Sequence, residues 1–300
     1  MDDAIIGFLP APELAARASP PAHILEPVLR PGTLALLHGA AGVGKSSVAL
    51  GIAWAASSGA AFLGWHGARP SPVLYVAGEL GIEELQRRMA TLGAPLPTLQ
   101  FLVVDAWRGP VLDLADDDSQ QRLAQRWGDP ALVVLDSVSS LAGLRDPDPD
   151  RWRALKRFLK GQQAAGRAVL LICHGGKKAM RDIGCPEDAF DLVLSMRRPE
   201  DWRPGDGDCF QLHFEKAKGL RADDVQPIDA RLQAEPNGRW RWQWQQRLDL
   251  EFEEAVGLLR QGLDVETMAD RLGRSRATGF RLQRRARRLG LLEGAPGPDR

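Results

Sequence analysis

The chemistry written into this chain starts at Gly39. Gly39, Ala40, Ala41, Gly42, Val43, Gly44, Lys45 and Ser46 fit the spacing G-x-x-x-x-G-K-[ST], and Ser47 follows directly. Glycines let a backbone curl until several N–H groups aim at one anion. A helix beginning at the same point adds its positive end. In such a cradle Lys45 neutralises the outer phosphates of a nucleotide and Ser46 ligates Mg²⁺. Three more polar residues stand behind short apolar runs: Glu79 after VLYVAG, Asp136 at the end of LVVLD, and His174 at the end of VLLICH. A carboxylate near the terminal phosphate can orient and polarise water, and Glu79 is the candidate; the alternative is a glutamate that merely opens a helix. Asp136 is the candidate for holding Mg²⁺ through water, with a plain strand-end turn as the alternative. His174 beside Asp136 is placed to touch the γ-phosphate, although a lone histidine is more often structural.

These residues need buried strands to position them. Leu34 to Leu37, Val73 to Ala77, Leu132 to Leu135 and Ala168 to Ile172 are continuous apolar runs, as expected of parallel strands covered on both faces. The segment SSVALGIAWAA after the loop reads as a helix. Open sheets of this kind bind ligands outside the carboxyl ends of their strands. Glu79, Asp136 and His174 all fall there. The expected fold is therefore α/β, a mostly parallel sheet with helices on both faces.

Taken together, HGAAGVGKSS, VLYVAGEL with EELQRRM after it, ALVVLDSVSSL, and VLLICHGGKKA followed by EDAFDLVLSM resemble the RecA-like ATPases. Within these they are similar to the AAA_25 group, which includes the plasmid replication helicase RepA. The lead-in HILEPVLRPGTLALLHG is similar as well, and the likeness spans roughly residues 8 to 245. The resemblance implies ATP and Mg²⁺ as cofactors and a homo-oligomer, commonly a hexamer, with ATP at subunit interfaces. It implies that His174 senses the γ-phosphate. It also implies that the segment after His174 faces a central channel, where Lys177, Lys178 and Arg181 would meet DNA phosphates; a solvated charged loop is the alternative. The group's late-strand Lys-x-Arg pair, which reaches the neighbour's γ-phosphate, corresponds here to Lys216 and Lys218; a plain exposed strand end is the alternative. Lysine is a point charge without the bidentate fork of arginine.

Beyond the expected ATPase domain at residues 1–247, the pattern changes. Trp240, Trp242 and Trp244 alternate in RWRWQWQ, a strand with one aromatic face that either packs on its own sheet or a neighbour, or stacks bases. Phe252, Ala255, Val256 and Leu259 then fall at helical spacing, as do Val265, Met268, Ala269 and Leu272. Gly262 and Gly273 break the pattern, and Ser275 is placed to cap a third helix with Thr278, Leu282, Ala286 and Leu289 facing inward. This is the order of a helix-turn-helix, expected over residues 248–293, with a disordered tail at 294–300. The stretch Arg274 to Gly290 holds seven arginines and no acid, in a chain whose formal net charge is zero. Arg274, Arg276, Arg281, Arg284, Arg285 and Arg288 are the candidates for DNA contact, with a solvated face or a docking module as alternatives.

Composition bounds the rest. Cys173, Cys185 and Cys209 are too scattered for a disulfide scaffold or a zinc site, and suit a reducing cytoplasm. The proline-broken, acidic start lacks the features of a secretory signal, and no run of apolar residues is long enough for a membrane span. DNA, rather than a membrane, is the expected partner.

Overall fold

A computed structural model describes residues 23–144, 148–175, 187–199, 202–203, 207–234, 240–246, 250–288 and 292. In chain order the elements are β1 (Leu34–Gly39), α1 (Lys45–Ser58), a small hairpin of β2 (Ala61–Phe62) and β3 (Trp65–His66), β4 (Val73–Ala77), α2 (Ile82–Met89), β5 (Leu99–Val103), α3 (Asp117–Ala124), β6 (Leu132–Asp136), α4 (Val138–Leu141), α5 (Pro149–Ala164) and β7 (Ala168–His174). Then follow β8 (Leu192–Arg197), β9 (Cys209–Ala217), β10 (Ile228–Ala234), β11 (Trp240–Gln246), α6 (Leu250–Arg260), α7 (Val265–Arg271) and α8 (Arg276–Arg288).

Among the described residues one nine-stranded sheet has the order β11-β10-β9-β8-β1-β7-β6-β4-β5. Strands β5, β4, β6, β7, β1 and β8 run parallel, and β9, β10 and β11 extend the sheet antiparallel. Every residue of β1, β4 and β6 is buried, which explains their unbroken apolar runs. Strand β1 lies mid-sheet, so its carboxyl end is flanked by those of β7 and β8.

Two apolar layers sandwich the sheet. On one face Leu37, Tyr75, Val134 and Ile172 pack against α1 and Leu85 of α2. On the other, Leu36, Val76, Leu135 and Leu171 pack against Leu141 of α4 and Leu155, Phe158 and Leu159 of α5. Burial of each such side chain contributes about 1.5–3 kcal/mol. Helix α1 is buried along most of its length, which its small residues Ala49, Ala53, Ala55 and Ala56 permit. Asp148 starts α5 by accepting from the N–H groups of Asp150 and Arg151, with Pro149 in the first turn.

The aromatic face of β11 turns onto its own sheet. Trp242 meets Phe62 and Phe210 edge-on, with centroids 5.9 and 5.4 Å apart. Trp244 remains 43% exposed and lies over Gly64.

Helices α6, α7 and α8 enclose a core of their own: Phe252, Ala255, Val256, Val265, Met268, Leu282 and Ala286. Asp264 caps α7 through the N–H groups of Glu266 and Thr267, and Ser275 caps α8 by accepting from the Thr278 N–H at 3.3 Å. The turn from Leu272 to Ser275 is short, and the helices cross closely at Gly279. A Cβ there would stand 2.8 Å from Cβ of Ala269 and 3.0 Å from the carbonyl oxygen of Val265. Leu289 lies outside the described residues. No helix among the described residues is long and apolar enough to cross a membrane.

Candidate functional site

The loop from Gly39 to Ser46 leaves β1 and enters α1 at the carboxyl rim of the sheet. Gly44 is the N-cap of α1 at φ 103°, a conformation that favours glycine, and no side chain caps the helix. No acid occupies the first turn either, so the N–H groups of that turn point outward without a side-chain acceptor. Gly39 is fixed by space: a Cβ there would lie 2.6 Å from the carbonyl oxygen of Met196. Val43 is buried and anchors the loop, whereas Ala40, Ala41 and Gly42 form its exposed tip. Lys45 folds back along the loop, and its Nζ donates to the carbonyls of Gly39 at 2.9 Å and Ala40 at 2.8 Å. Burial lowers the Lys45 pKa, although the charges of Asp136 and Glu79 oppose the shift.

The acids arrive on neighbouring strands. Asp136 is 1% exposed at the end of β6. Its Oδ2 accepts from the Tyr75 hydroxyl at 2.6 Å, and Ser46 hydrogen-bonds to the same carboxylate. Burial raises the Asp136 pKa above the ordinary range, against the pull of the Tyr75 and Ser46 hydrogen bonds. An anionic carboxylate and a hydroxyl side by side, next to a backbone anion cradle, are a suitable donor set for Mg²⁺ on a nucleotide.

Glu79 lies just past β4 and before α2, whose N-cap is Gly81, so it is not a helix-opening residue. The N–H of Gly78 donates to the Asp136 carbonyl at 2.6 Å and ties this segment to the end of β6. The Glu79 carboxylate accepts from the Ser137 hydroxyl, from Ser139 at 3.4 Å, and faces Nε2 of His174 at 2.9 Å. Burial pushes its pKa up, but the Ser137 and His174 hydrogen bonds outweigh that and hold it below the usual glutamate range. His174 ends β7 opposite Gly39 in register, so it links the cradle strand to Glu79.

A cavity of about 260 Å³ opens beside Ser47. Arg87, Arg88 and Thr91 of α2, Leu50 of α1, Asp208 before β9, and Trp242 line it. Ser47 donates to Asp208 at 2.5 Å and receives a bond from Arg88 at 3.1 Å, which joins the wall of this cavity to the cradle. Sequence reading missed this wall, along with Tyr75, Ser137 and Ser139. The serine-rich SVSS after Asp136 was the available signal for the last two; Asp208, 161 residues from Ser47, carried none.

Other candidates stand elsewhere. Lys216 and Lys218 lie at the opposite rim, where β1 begins: Ala217 pairs with Leu192, Lys216 Nζ donates to the Asp188 carbonyl at 3.3 Å, and Lys218 stands 3.6 Å from Asp191. They do not reach the cradle of their own chain. Lys177, Lys178 and Arg181 lie outside the described residues. On the three-helix unit two of the candidate arginines pair with acids from outside the stretch. Folding brings Glu251 to Arg274 at 2.9 Å and Glu266 to Arg276 at 2.5 Å. Arg281, Arg284 and Arg287 remain exposed on α8; the side chains of Arg285 and Arg288 lie outside what is described.

The AAA_25 family model, an AAA domain, matches residues 6–180, more than half of the chain. The flagellar accessory protein FlaH from Methanocaldococcus jannaschii is similar in structure, with a TM-score of 0.51 at 14% identity over 71% of this chain and 90% of that one. A KaiC-like protein from Pyrococcus horikoshii OT3 gives 0.49 at 19% identity, over 72% of this chain and 91% of the other. A search of curated proteins gave no match. The sheet is thus the RecA-like fold, the loop is the P-loop of a nucleotide-binding ATPase domain, and the chain belongs to the AAA_25 family.

Proposed function

We propose that this protein hydrolyses ATP with Mg²⁺ and couples the hydrolysis to DNA. The observation that carries the reading is the meeting of the P-loop, Asp136, Glu79 and His174 on one rim, from four different strands. The cradle N–H groups and Lys45 bind the phosphates. Ser46 and Asp136 would hold Mg²⁺, which when bound offsets phosphate charge and fixes the phosphate oxygens. Glu79 stays ionised because its pKa is held low, which makes it a weak base. It therefore orients and polarises the attacking water rather than removing a proton beforehand. His174, already on Glu79, shifts between that carboxylate and the γ-phosphate. The cavity beside Ser47 takes the base.

The placement of Lys216 and Lys218 on the far rim supports an assembly in which the far rim of one subunit faces the nucleotide of the next. The four-residue turn Leu272–Ser275 before α8, and the exposed Arg281, Arg284 and Arg287, support a helix-turn-helix that sets α8 in a DNA major groove. Two outcomes follow. In a motor of the helicase kind, hydrolysis moves the assembly along a single strand. In an ATP-switched regulator, nucleotide controls duplex binding without unwinding, and the separately cored three-helix unit favours this second reading. Phosphate release measured alone, with single strands and with duplex identifies the track. Strand displacement on tailed duplexes separates motor from switch. Equal rates with and without either DNA would contradict the coupling.

A further inference from the structure

The cradle has a second cation, and it comes from the same chain. Arg198 follows β8, whose Met196 packs against Gly39. Its guanidinium donates through Nη2 to the carbonyl of Gly42, at the tip of the loop, and through Nη1 to the carbonyl of Gly207 at 3.2 Å. The ring of Trp202 lies beneath it, 3.8 Å from the guanidinium carbon to the ring centroid. Lys45 likewise rests on loop carbonyls, those of Gly39 and Ala40. Two cations thus rest against one anion loop, each on neutral carbonyls. Among the described residues no carboxylate pairs with Arg198.

We infer that Arg198 is a nucleotide-contacting residue that binds phosphate oxygens of ATP held in its own chain's P-loop. This rests on the ATPase reading and adds to it a cation acting within the subunit. Neutral carbonyls are weaker partners for a guanidinium than the charged oxygens of a triphosphate. The planar fork of arginine matches two phosphate oxygens at once, and the face of Trp202 holds that plane in orientation before binding.

Binding of a fluorescent ATP analogue and of ADP is measured for the full chain, Arg198→Ala, Arg198→Lys and Trp202→Phe, with Lys45→Ala as the reference for the loop itself. Loss of a charge-assisted pair predicts ATP binding weaker by ~10- to 100-fold in Arg198→Ala, with partial recovery in Arg198→Lys. Removal of the guanidinium from Trp202 on ATP addition predicts a tryptophan emission change in the unaltered chain that Trp202→Phe lacks. ATP affinity unchanged in a folded Arg198→Ala variant, with the emission change intact in Trp202→Phe, would overturn the assignment while leaving the ATPase reading in place. Failure of the unaltered chain to bind either nucleotide would instead overturn the nucleotide site and this inference with it.

Discussion

The nucleotide rim and the basic face of α8 both concentrate charge, and they do so by opposite means. At the rim, residues as far apart as Glu79 and His174 meet because parallel strands end together, and their charges are buried or paired on arrival. On α8, charge is gathered by helical periodicity alone and Arg281, Arg284 and Arg287 stay in solvent. The first arrangement costs folding energy and supplies pre-set electrostatics for chemistry. The second costs little and would supply salt-sensitive attraction to a polyanion. The two regions should therefore fail differently when altered.

The largest effect belongs to Lys45→Ala, which should lower phosphate release by about 10²–10³-fold, the scale for removing one pre-organised phosphate stabiliser. Duplex binding without nucleotide should stay within twofold or so of the unaltered chain. A parallel fall in both would erase the distinction between the regions. The converse change, Arg281→Ala with Arg284→Ala, should leave basal hydrolysis intact. A gel-shift series over salt should show weaker duplex binding and a log–log salt slope reduced by about 2 for two phosphate contacts. An unaltered slope would remove α8 from the DNA interface.

Smaller effects sharpen the comparison through stability. Gly279→Ala places a methyl 2.8 Å from Ala269 at the α7–α8 crossing. The overpacking should cost about 1–3 kcal/mol and loosen the helical unit, read as faster amide exchange in α6–α8 than in the sheet. Asp136→Asn should act in the other direction. Burial raises the Asp136 pKa, so stability is greater below that pKa and lost as pH rises through it. The neutral amide should hence raise Tm at neutral pH, by about 2–4 °C for each ~1 kcal/mol in a chain of this size. A lower Tm would mean that the Tyr75 and Ser46 hydrogen bonds outweigh the burial.

Much of the rim was legible because its chemistry is local in sequence: the loop spacing, and one polar residue behind each apolar strand. The sheet class followed from the same strands. What lay hidden was made by the antiparallel return of β9 to β11. That return carries Asp208 and Trp242 to the side of α1 and closes the cavity by Ser47, and no spacing rule links those segments. The helical unit was legible in its apolar stripes and in Ser275, whereas the partners of its first arginines were not. Glu251 lies 23 residues before Arg274, yet the fold pairs them. The stretch itself holds no acid, and acids from outside it offset part of its field.

The most direct test of the account is a pair of readings on Glu79→Gln: binding of a fluorescent ATP analogue and release of phosphate in Mg²⁺. Binding should be retained while release falls by about 10²-fold, the low end for a group that positions water without taking its proton first. Phosphate release at the unaltered rate would show that the carboxylate gathered with His174 and Ser137 is not the group that orients water, and would contradict the assembly of this site around one bound triphosphate.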